Sequence, residues 1–407
     1  MNFKILAIAL LCIVFLYRLL VTLLKLRSTR NPIPANVADI YDAATYEKWC
    51  SYRVEKCRLS ILDSLVSLAV DIALIATDAY AAFAGLFRNT VFWQLFAVLL
   101  LSTLTAIVTM PFAYYDTMKI EARYGFNRTK KGTFLADQLK EFLISLGLLT
   151  LITWILSLLY RALGDWMIVA FAGVLVVLIL AITFLYPLLS RAFNKFTPLE
   201  EGELRDKLTA LLTKHGYHVR AIEVMDGSRR STKANAYFAG FGKTKSIVLY
   251  DTLIEKLTPD EICAVFAHEL GHGVHHDTLT GQIISIFQML LISVLAWLTL
   301  RTGSLFPQFG FDTVNYGFAV LLILSVEFAL IAPLYGIFAN ALSRRHEYRA
   351  DRFAAGEGYA NDLISGLKKL TQTDFGDVSP SPALILLEYS HPSLSQRITA
   401  LEGLKKE

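Results

Sequence analysis

The sequence predicts a mainly α-helical membrane protein that carries an α+β domain between its membrane helices. Of its 407 residues 55% are hydrophobic, and the mean hydropathy is +0.48, which is too apolar for an ordinary soluble protein. Seven apolar stretches approach the length that a bilayer core requires. A polar segment, 193–281, interrupts these stretches and combines strand patterns with helical ones.

The basic residues around the seven predicted spans predict an orientation. The loops after the first and third spans hold most of them, whereas the opposite side offers only Lys4, Arg88, Arg161 and Arg301. The amino terminus is therefore expected outside, with segment 193–281 and the carboxyl terminus in the cytoplasm. The first stretch is expected to stay as a span, because basic residues rather than a cleavage site follow it. The spans are 3–24, 59–86, 91–112, 142–160, 166–189, 283–300 and 316–338.

Four segments follow from this pattern. The predicted units are spans one to five with their loops, a cytoplasmic α+β segment, spans six and seven, and a cytoplasmic carboxyl-terminal segment. Their boundaries are 1–192, 193–281, 282–342 and 343–407.

The second span contains three aspartates, Asp63, Asp71 and Asp78, which lie within about 80° of one another on an ideal helix. Carboxylates that face lipid are costly, so this stripe predicts a water-lined surface inside the helix bundle. Glu327 in the last span points the same way. Pairing with polar or basic side chains on neighbouring helices is the alternative explanation.

Charge and cysteine content exclude other classes of protein. The formal net charge is only +4 and no basic block is interleaved with aromatic residues, so no nucleic-acid partner is predicted. The four cysteines are Cys12, Cys50, Cys57 and Cys263, and none forms a CxxC pair. Neither a disulfide framework nor a cysteine zinc site is therefore expected.

Segment 193–281 has strand and helix signals before its main motif. They predict a helix near 200–215, a strand over 221–225 and a hairpin whose strands cover 235–241 and 246–250. An extended peptide substrate could pair with the strand over 246–250 by adding to the sheet. A hairpin that is only structural explains the pattern equally well.

The next helix carries the pentapeptide HELGH at 268–272. A capping-box pattern at 258–261 starts this helix roughly three turns earlier. His268 and His272 lie one turn apart on one face, so both imidazoles can reach one tetrahedral Zn²⁺. Glu269 is left to act as general base towards a water molecule.

A helical segment over 340–351 follows the last span and carries the other candidate ligands. Glu347 and Asp351 are four residues apart on one face. A catalytic zinc site needs a third protein ligand and one open position, and Glu347 is the predicted ligand. Asp351 is expected to orient a zinc histidine. The rival ligand, His346, points about 100° away, and a solvated helix with Glu347 paired to Arg344 is the plain alternative.

Three motifs together resemble the type I CAAX prenyl proteases, which are integral-membrane zinc endopeptidases of the gluzincin type. The motifs are HELGH at 268–272, SRRHEYRADRFA at 343–354 and HPSLSQR at 391–397. The stretch 227–253 is also similar to that family, and the resemblance covers most of the chain. It implies a barrel of seven membrane helices that encloses an aqueous chamber, with a zincin-like α+β domain and one Zn²⁺ on the cytoplasmic side.

The resemblance also implies roles for residues outside the metal triad. Asn235 and Ala236, in the NAYF match, correspond to positions that line the substrate groove. His391 corresponds to a residue that stabilises the oxyanion, and Arg397 closes the same motif on the substrate side. Lys233 stands where eukaryotic members often have histidine, which favours a prokaryotic homologue. The membrane is then the cytoplasmic membrane, or that of the endoplasmic reticulum if the source is eukaryotic.

The sequence thus predicts a zinc endopeptidase with the lipid bilayer and a peptide or protein as partners, the substrate being prenylated if the resemblance extends to it. One alternative is a quality-control protease of the HtpX kind, which has fewer spans. A second is an intramembrane site-two-type protease, but charged residues flank the motif helix here. A third is a non-enzymatic transporter or binding chamber, which has no need of a base between two ligands.

Overall fold

The computed structural model describes residues 2–229, 232–233, 235–239 and 244–404. Helices dominate it, as predicted. The first half contains α1 Phe3–Arg27, α2 Ala43–Ala76, α3 Ala79–Ala84, α4 Val91–Leu104, α5 Ala106–Tyr115, α6 Lys131–Leu163 and α7 Met167–Phe193. The second half contains α8 Glu203–Lys214, α9 Asp251–Lys256, α10 Pro259–Val274, α11 Asp277–Arg301, α12 Tyr316–Leu322, α13 Phe328–Gly356, α14 Ala360–Thr373, α15 Pro382–Glu388 and α16 Leu394–Leu404.

The described residues contain six helical segments that are long and apolar enough to cross a membrane, against seven predicted spans. The difference lies in Lys131–Ile182, 52 residues that combine α6 with most of α7. A short 3₁₀ turn that starts at Gly164, with φ of 54°, separates these two helices, which pack against each other. The chain reverses there, so this segment accounts for the fourth and fifth predicted spans.

The second predicted span, 59–86, is not one continuous helix. α2 ends at Ala76, and Asp78 adopts a left-handed conformation, with φ of 55°, before α3 begins. The prediction of three aspartates along one helix was therefore wrong for Asp78. Its carboxylate pairs with Lys4 of α1 at 2.7 Å. This contact fits the alternative explanation, in which the aspartates pair with basic side chains on neighbouring helices. Arg18 of α1 is a charged neighbour of the other two aspartates.

The membrane helices touch along narrow seams. Only 6% of the most apolar 18-residue stretch of α2 is buried, whereas 44% of the corresponding stretch in the segment that contains α12 and α13 is buried. The largest apolar cluster of the described residues includes Phe306 and Phe309, in the loop between α11 and α12, and Phe318 of α12, which packs against α4. Helices that bury so little of their surface form a wall rather than a solid bundle, in agreement with the predicted barrel.

The segment between α7 and α10 folds into a four-stranded sheet. Its strands are β1 Phe196–Pro198, β2 His218–Met225, β3 Ala236–Ala239 and β4 Thr244–Tyr250, in the order β1-β2-β4-β3. β3 and β4 pair antiparallel, which confirms the predicted hairpin, although its turn at 242–243 lies outside the described residues. β4 has β2 on its other side. The prediction that 246–250 pairs with a substrate was therefore wrong, because β4 has no free edge; β3 is the edge strand.

The capping box predicted for α10 is confirmed, and it also joins α10 to α14. Thr258 Oγ accepts from the Glu261 backbone N–H at 3.3 Å, and the Glu261 carboxylate accepts from the Thr258 N–H at 2.8 Å. The same buried carboxylate accepts from Ser365 and Lys369 of α14. Burial raises the pKa of Glu261, but the bonds from Lys369, Ser365 and Thr258 outweigh it, so this pKa lies below its usual value.

We expect Glu261→Ala to lower the free energy of unfolding by about 0.5–2 kcal/mol, because it removes one half of the capping box and the acceptor that joins α10 to Ser365 and Lys369 of α14. Thermal unfolding in detergent measures this. The difference in unfolding free energy between variant and wild type should reach its full value above the pKa of glutamate in the unfolded chain, about 4.3. It should vanish as the pH falls through the lower pKa of Glu261 in the folded protein. Glu203→Ala, an exposed carboxylate in the first turn of α8, is the control. An equal loss in both variants would contradict the prediction.

Candidate active site

The site forms where α10 crosses α13 at close range. A Cβ atom at Gly271 would lie 3.0 Å from the Ala350 Cα and 3.1 Å from the Phe353 Cβ, so only glycine permits this approach without displacement. Gly271 lies directly before His272 on α10, and Ala350 lies one turn after Glu347 on α13. The close crossing therefore brings the histidine face of α10 against Glu347.

The three predicted ligands converge on one point. The Nε2 atoms of His268 and His272 are 3.2 Å apart, and they lie 3.4 Å and 3.3 Å from the two carboxylate oxygens of Glu347. Ligand atoms about 2.1 Å from a tetrahedral zinc ion are roughly 3.4 Å apart. Oε2 of Glu347 is buried and has no hydrogen-bond partner among the described residues. A metal ion fits this donor set and accounts for the orphaned oxygen.

The Nδ1 atom of each histidine contacts a carboxylate, and each carboxylate forms an ion pair with an arginine. His268 Nδ1 lies 2.9 Å from Asp351, which Arg397 holds through two bonds of 2.6 Å and 2.9 Å. Asp351 thus contacts His268, and its expected role in orienting a zinc histidine stays a prediction. His272 Nδ1 has its own partner in Asp277, at 2.8 Å.

Asp277 is the site residue that the sequence reasoning missed. Its only signal was an acidic residue five positions after His272, at the start of the next helix. The rival ligand His346 does not join the triad; its Nδ1 lies 3.6 Å from Asp277. Burial lowers the pKa of His272, but its contacts with Glu347 and Asp277 outweigh this and raise the pKa to about 9. The site therefore favours a positive charge between these carboxylates.

Glu269, the predicted base, lies half-buried on α10 between the two histidines in sequence. Its role as general base stays a prediction. His391, in the loop between α15 and α16, has its Nε2 3.3 Å from Glu347 Oε1, with 62% of its side chain exposed. An exposed imidazole at the edge of the triad is accessible to a substrate.

Arg397 of α16 is a buried neighbour of the triad. Its side chain is only 9% exposed, and its guanidinium lies 3.5 Å from Glu347 and 3.3 Å from His268 Nδ1. It therefore contacts two of the three candidate ligands. The expectation that Arg397 contacts substrate stays a prediction.

Asn235 and Ala236 begin the edge strand β3. The Asn235 carbonyl accepts from the Tyr250 N–H at 3.0 Å, and its exposed side chain accepts from the Ala236 N–H at 2.9 Å. Ala236 packs against the cluster that contains Phe266 and Leu270 of α10. The two residues thus lie at the start of a free sheet edge, and their role in substrate binding stays a prediction.

A His-His-Glu triad that joins an HExxH helix to a neighbouring helix, in a protein of membrane-spanning helices, defines a membrane metalloprotease. Residues 22–195 match the family described as CAAX prenyl protease N-terminal, five membrane helices, and residues 198–405 match peptidase family M48. The chain belongs to peptidase family M48, whose members are zinc metalloproteases.

Similar proteins cover nearly the whole chain. A CAAX prenyl protease 1 homolog of Arabidopsis thaliana is 31% identical over 97% of this chain and 96% of its own. CAAX prenyl protease 1 of Saccharomyces cerevisiae is 30% identical over 94% of this chain and 91% of its own. The crystal structure of S. mikatae Ste24p superposes with a TM-score of 0.90 at 28% identity, covering 99% of both chains. The predicted membrane metalloprotease is confirmed and is favoured over the HtpX kind.

We expect Gly271→Ala to weaken zinc binding and lower the melting temperature, because its methyl group would push α10 away from the α13 backbone. Gly273→Ala, two residues on, is a matched control whose methyl group would make only ordinary contact with Tyr217, at 3.5 Å. That control should be neutral or stabilise the helix by up to about 1 kcal/mol. Thermal unfolding and zinc content measure both variants, and equal behaviour of the two would contradict the close-crossing argument.

Proposed function

We propose that this chain is a zinc endopeptidase that holds one Zn²⁺ through His268, His272 and Glu347. The observation that carries the proposal is the convergence of one ligand atom from each of these three residues. Oε2 of Glu347 has His268 Nε2 at 3.4 Å and Arg397 at 3.5 Å but no hydrogen-bond partner in the described part of the chain. A metal ion held by the three residues supplies that missing partner. Three protein ligands with a fourth position open are typical of catalytic rather than structural zinc sites.

The chain's own residues supply the proton transfers. When bound, the zinc ion polarises the scissile carbonyl group and makes a water molecule acidic enough to ionise near neutral pH. Glu269 accepts the proton of the attacking water and passes it to the leaving amine. His391 donates its N–H to the oxygen that becomes negative, since it lies at the exposed edge of the triad. Asp351 and Arg397 keep His268 oriented.

The substrate lies extended along β3. This strand is a free edge of the described sheet, and its start at Asn235 and Ala236 matches the positions expected to line the groove. Main-chain hydrogen bonds to such an edge hold a peptide without reading its side chains. The proposal replaces the substrate contact with β4, which the sheet order excludes.

We infer further that the substrates are prenylated carboxyl-terminal peptides cut on the cytoplasmic face of the membrane. The names of the relatives, CAAX prenyl protease 1, support the first point. The excess of basic residues in the loops after the first and third spans supports the second, because segment 193–281 lies on the same side.

Glu269→Gln is expected to keep the fold and the zinc but to lower cleavage of a peptide substrate by about 10²–10⁴-fold, since only the proton acceptor is removed. Cleavage rate, zinc content and melting temperature are measured on the same preparation. Glu255→Gln, an exposed position on α9, is the control. Cleavage at the wild-type rate would remove the general-base assignment, and loss of zinc would show that Glu269 holds the metal instead.

Prenylated CAAX peptides are expected to be cleaved with a kcat/KM at least about tenfold higher than unprenylated ones, because transfer of the isoprenyl chain to an apolar environment contributes about 0.8 kcal/mol per buried methylene. The assay uses purified full-length protein, with a zinc chelator and with zinc restored. Chelation should abolish both activities. Equal rates on both peptides would contradict prenyl recognition and leave the peptidase proposal intact.

A further inference from the structure

We propose that Asp277 is a second positioning carboxylate of the metal centre, which holds His272 as Asp351 holds His268, with Arg349 as its anchor. The inference rests on the proposed zinc function and goes beyond it by assigning a residue outside the HExxH and ExxxD motifs. The site then consists of two parallel lines of contact. One runs from His268 through Asp351 to Arg397, and the other from His272 through Asp277 to Arg349.

The local backbone turns Asp277 back towards its histidine. α10 ends at Val274, and His276 adopts a left-handed conformation with φ of 57° before α11 begins at Asp277. This reversal sets the carboxylate 2.8 Å from His272 Nδ1, with only 7% of the Asp277 side chain exposed. Its second oxygen meets the guanidinium of Arg349, and His346 Nδ1 lies 3.6 Å away. These three side chains are the charged and titratable neighbours that the structure gives Asp277.

The contact between Asp277 and His272 Nδ1 determines which ring nitrogen of His272 can bind a metal ion. A carboxylate beside Nδ1 accepts its N–H, so the lone pair of Nε2 points to the triad. Nε2 is the atom that lies 3.3 Å from Glu347. Carboxylate partners of this kind orient ligating histidines in metal sites, and their removal typically costs 10–100-fold in metal affinity.

Arg349 extends this arrangement into a junction of three helices. It lies two residues after Glu347 on α13, so one helix supplies both the third ligand and the anchor of Asp277. Asp277 itself is the first residue of α11, whose later part is a membrane span. The metal centre therefore connects the motif helix α10 to two membrane helices, and metal binding should stabilise that junction.

The plain alternative is that Asp277 only stabilises the start of α11 by its charge and by the ion pair with Arg349. This alternative predicts a less stable apoprotein with unchanged metal affinity. Positioning predicts weaker metal binding by the folded apoprotein, whatever stability the lost ion pair with Arg349 costs. The two are separable because metal affinity and apoprotein stability are independent measurements.

The test uses the full-length protein in detergent and the variant Asp277→Asn, which keeps the shape and removes the charge. Zinc affinity is measured by competition with a chelator, geometry by the visible spectrum of the Co²⁺-loaded protein, and stability by melting of the apoprotein. We expect zinc binding to weaken about 10–100-fold, with an altered Co²⁺ spectrum, in an apoprotein that still melts cooperatively although at a lower temperature than wild type. Asp260→Asn, an exposed acid in the first turn of α10 paired to Lys207, should change none of these.

A second variant keeps the proposal testable if Asp277→Asn folds poorly. Arg349→Gln should weaken zinc binding in the same direction but less, and the double variant should bind zinc no more weakly than Asp277→Asn alone. Unchanged zinc affinity in Asp277→Asn, while wild type binds zinc and cleaves peptide, would overturn this inference and spare the proposed function. A wild-type protein that neither binds zinc nor cleaves peptide would overturn both.

Discussion

The burial of one carboxylate, Glu347, sets the requirements for the rest of the catalytic region. A charge removed from water is tolerated only with partners of opposite sign or with a metal ion. Three imidazoles and a guanidinium lie within 3.5 Å of it, yet one of its oxygens has no hydrogen bond in the described structure. The crossing of α10 and α13 at Gly271 is needed because a wider separation would leave this charge without its histidine partners.

The need to neutralise the buried carboxylates explains why distant parts of the chain meet at this site. Asp351 and Asp277 are also buried, and each has an arginine beside it. Arg397 comes from the carboxyl-terminal helix α16, so the last segment is held to the catalytic domain by an ion pair deep in the protein. Buried pairs contribute little net stability but strongly disfavour losing one partner. The arrangement thus specifies one position of α16 and α11 relative to the metal ligands.

The sequence predicted the parts of the site that follow from helical spacing. His268, His272 and Glu347 lie on regular faces, and the cap of α10 follows from residue types at fixed offsets. Asp277 was not predicted, because its contact with His272 depends on the left-handed conformation of His276, which no periodicity in the sequence signals. The free edge of the sheet depends on β2 pairing parallel to β4 across the chain, which local patterns do not reveal. The break at Asp78 interrupts an apolar stretch in which hydropathy shows no change.

The spacing between the candidate ligands and the predicted spans agrees with the proposed membrane-anchored substrates. Asp277 precedes the predicted apolar stretch of its span by six residues, and Glu347 follows the end of the last one, at 338, by nine. Six to nine helical residues rise roughly 9–14 Å. Three or four extended residues cover about that distance. A peptide bond next to a lipid-modified residue can therefore reach Glu269 while its anchor stays among the membrane helices, whereas a bond far along a soluble chain gains nothing from this location.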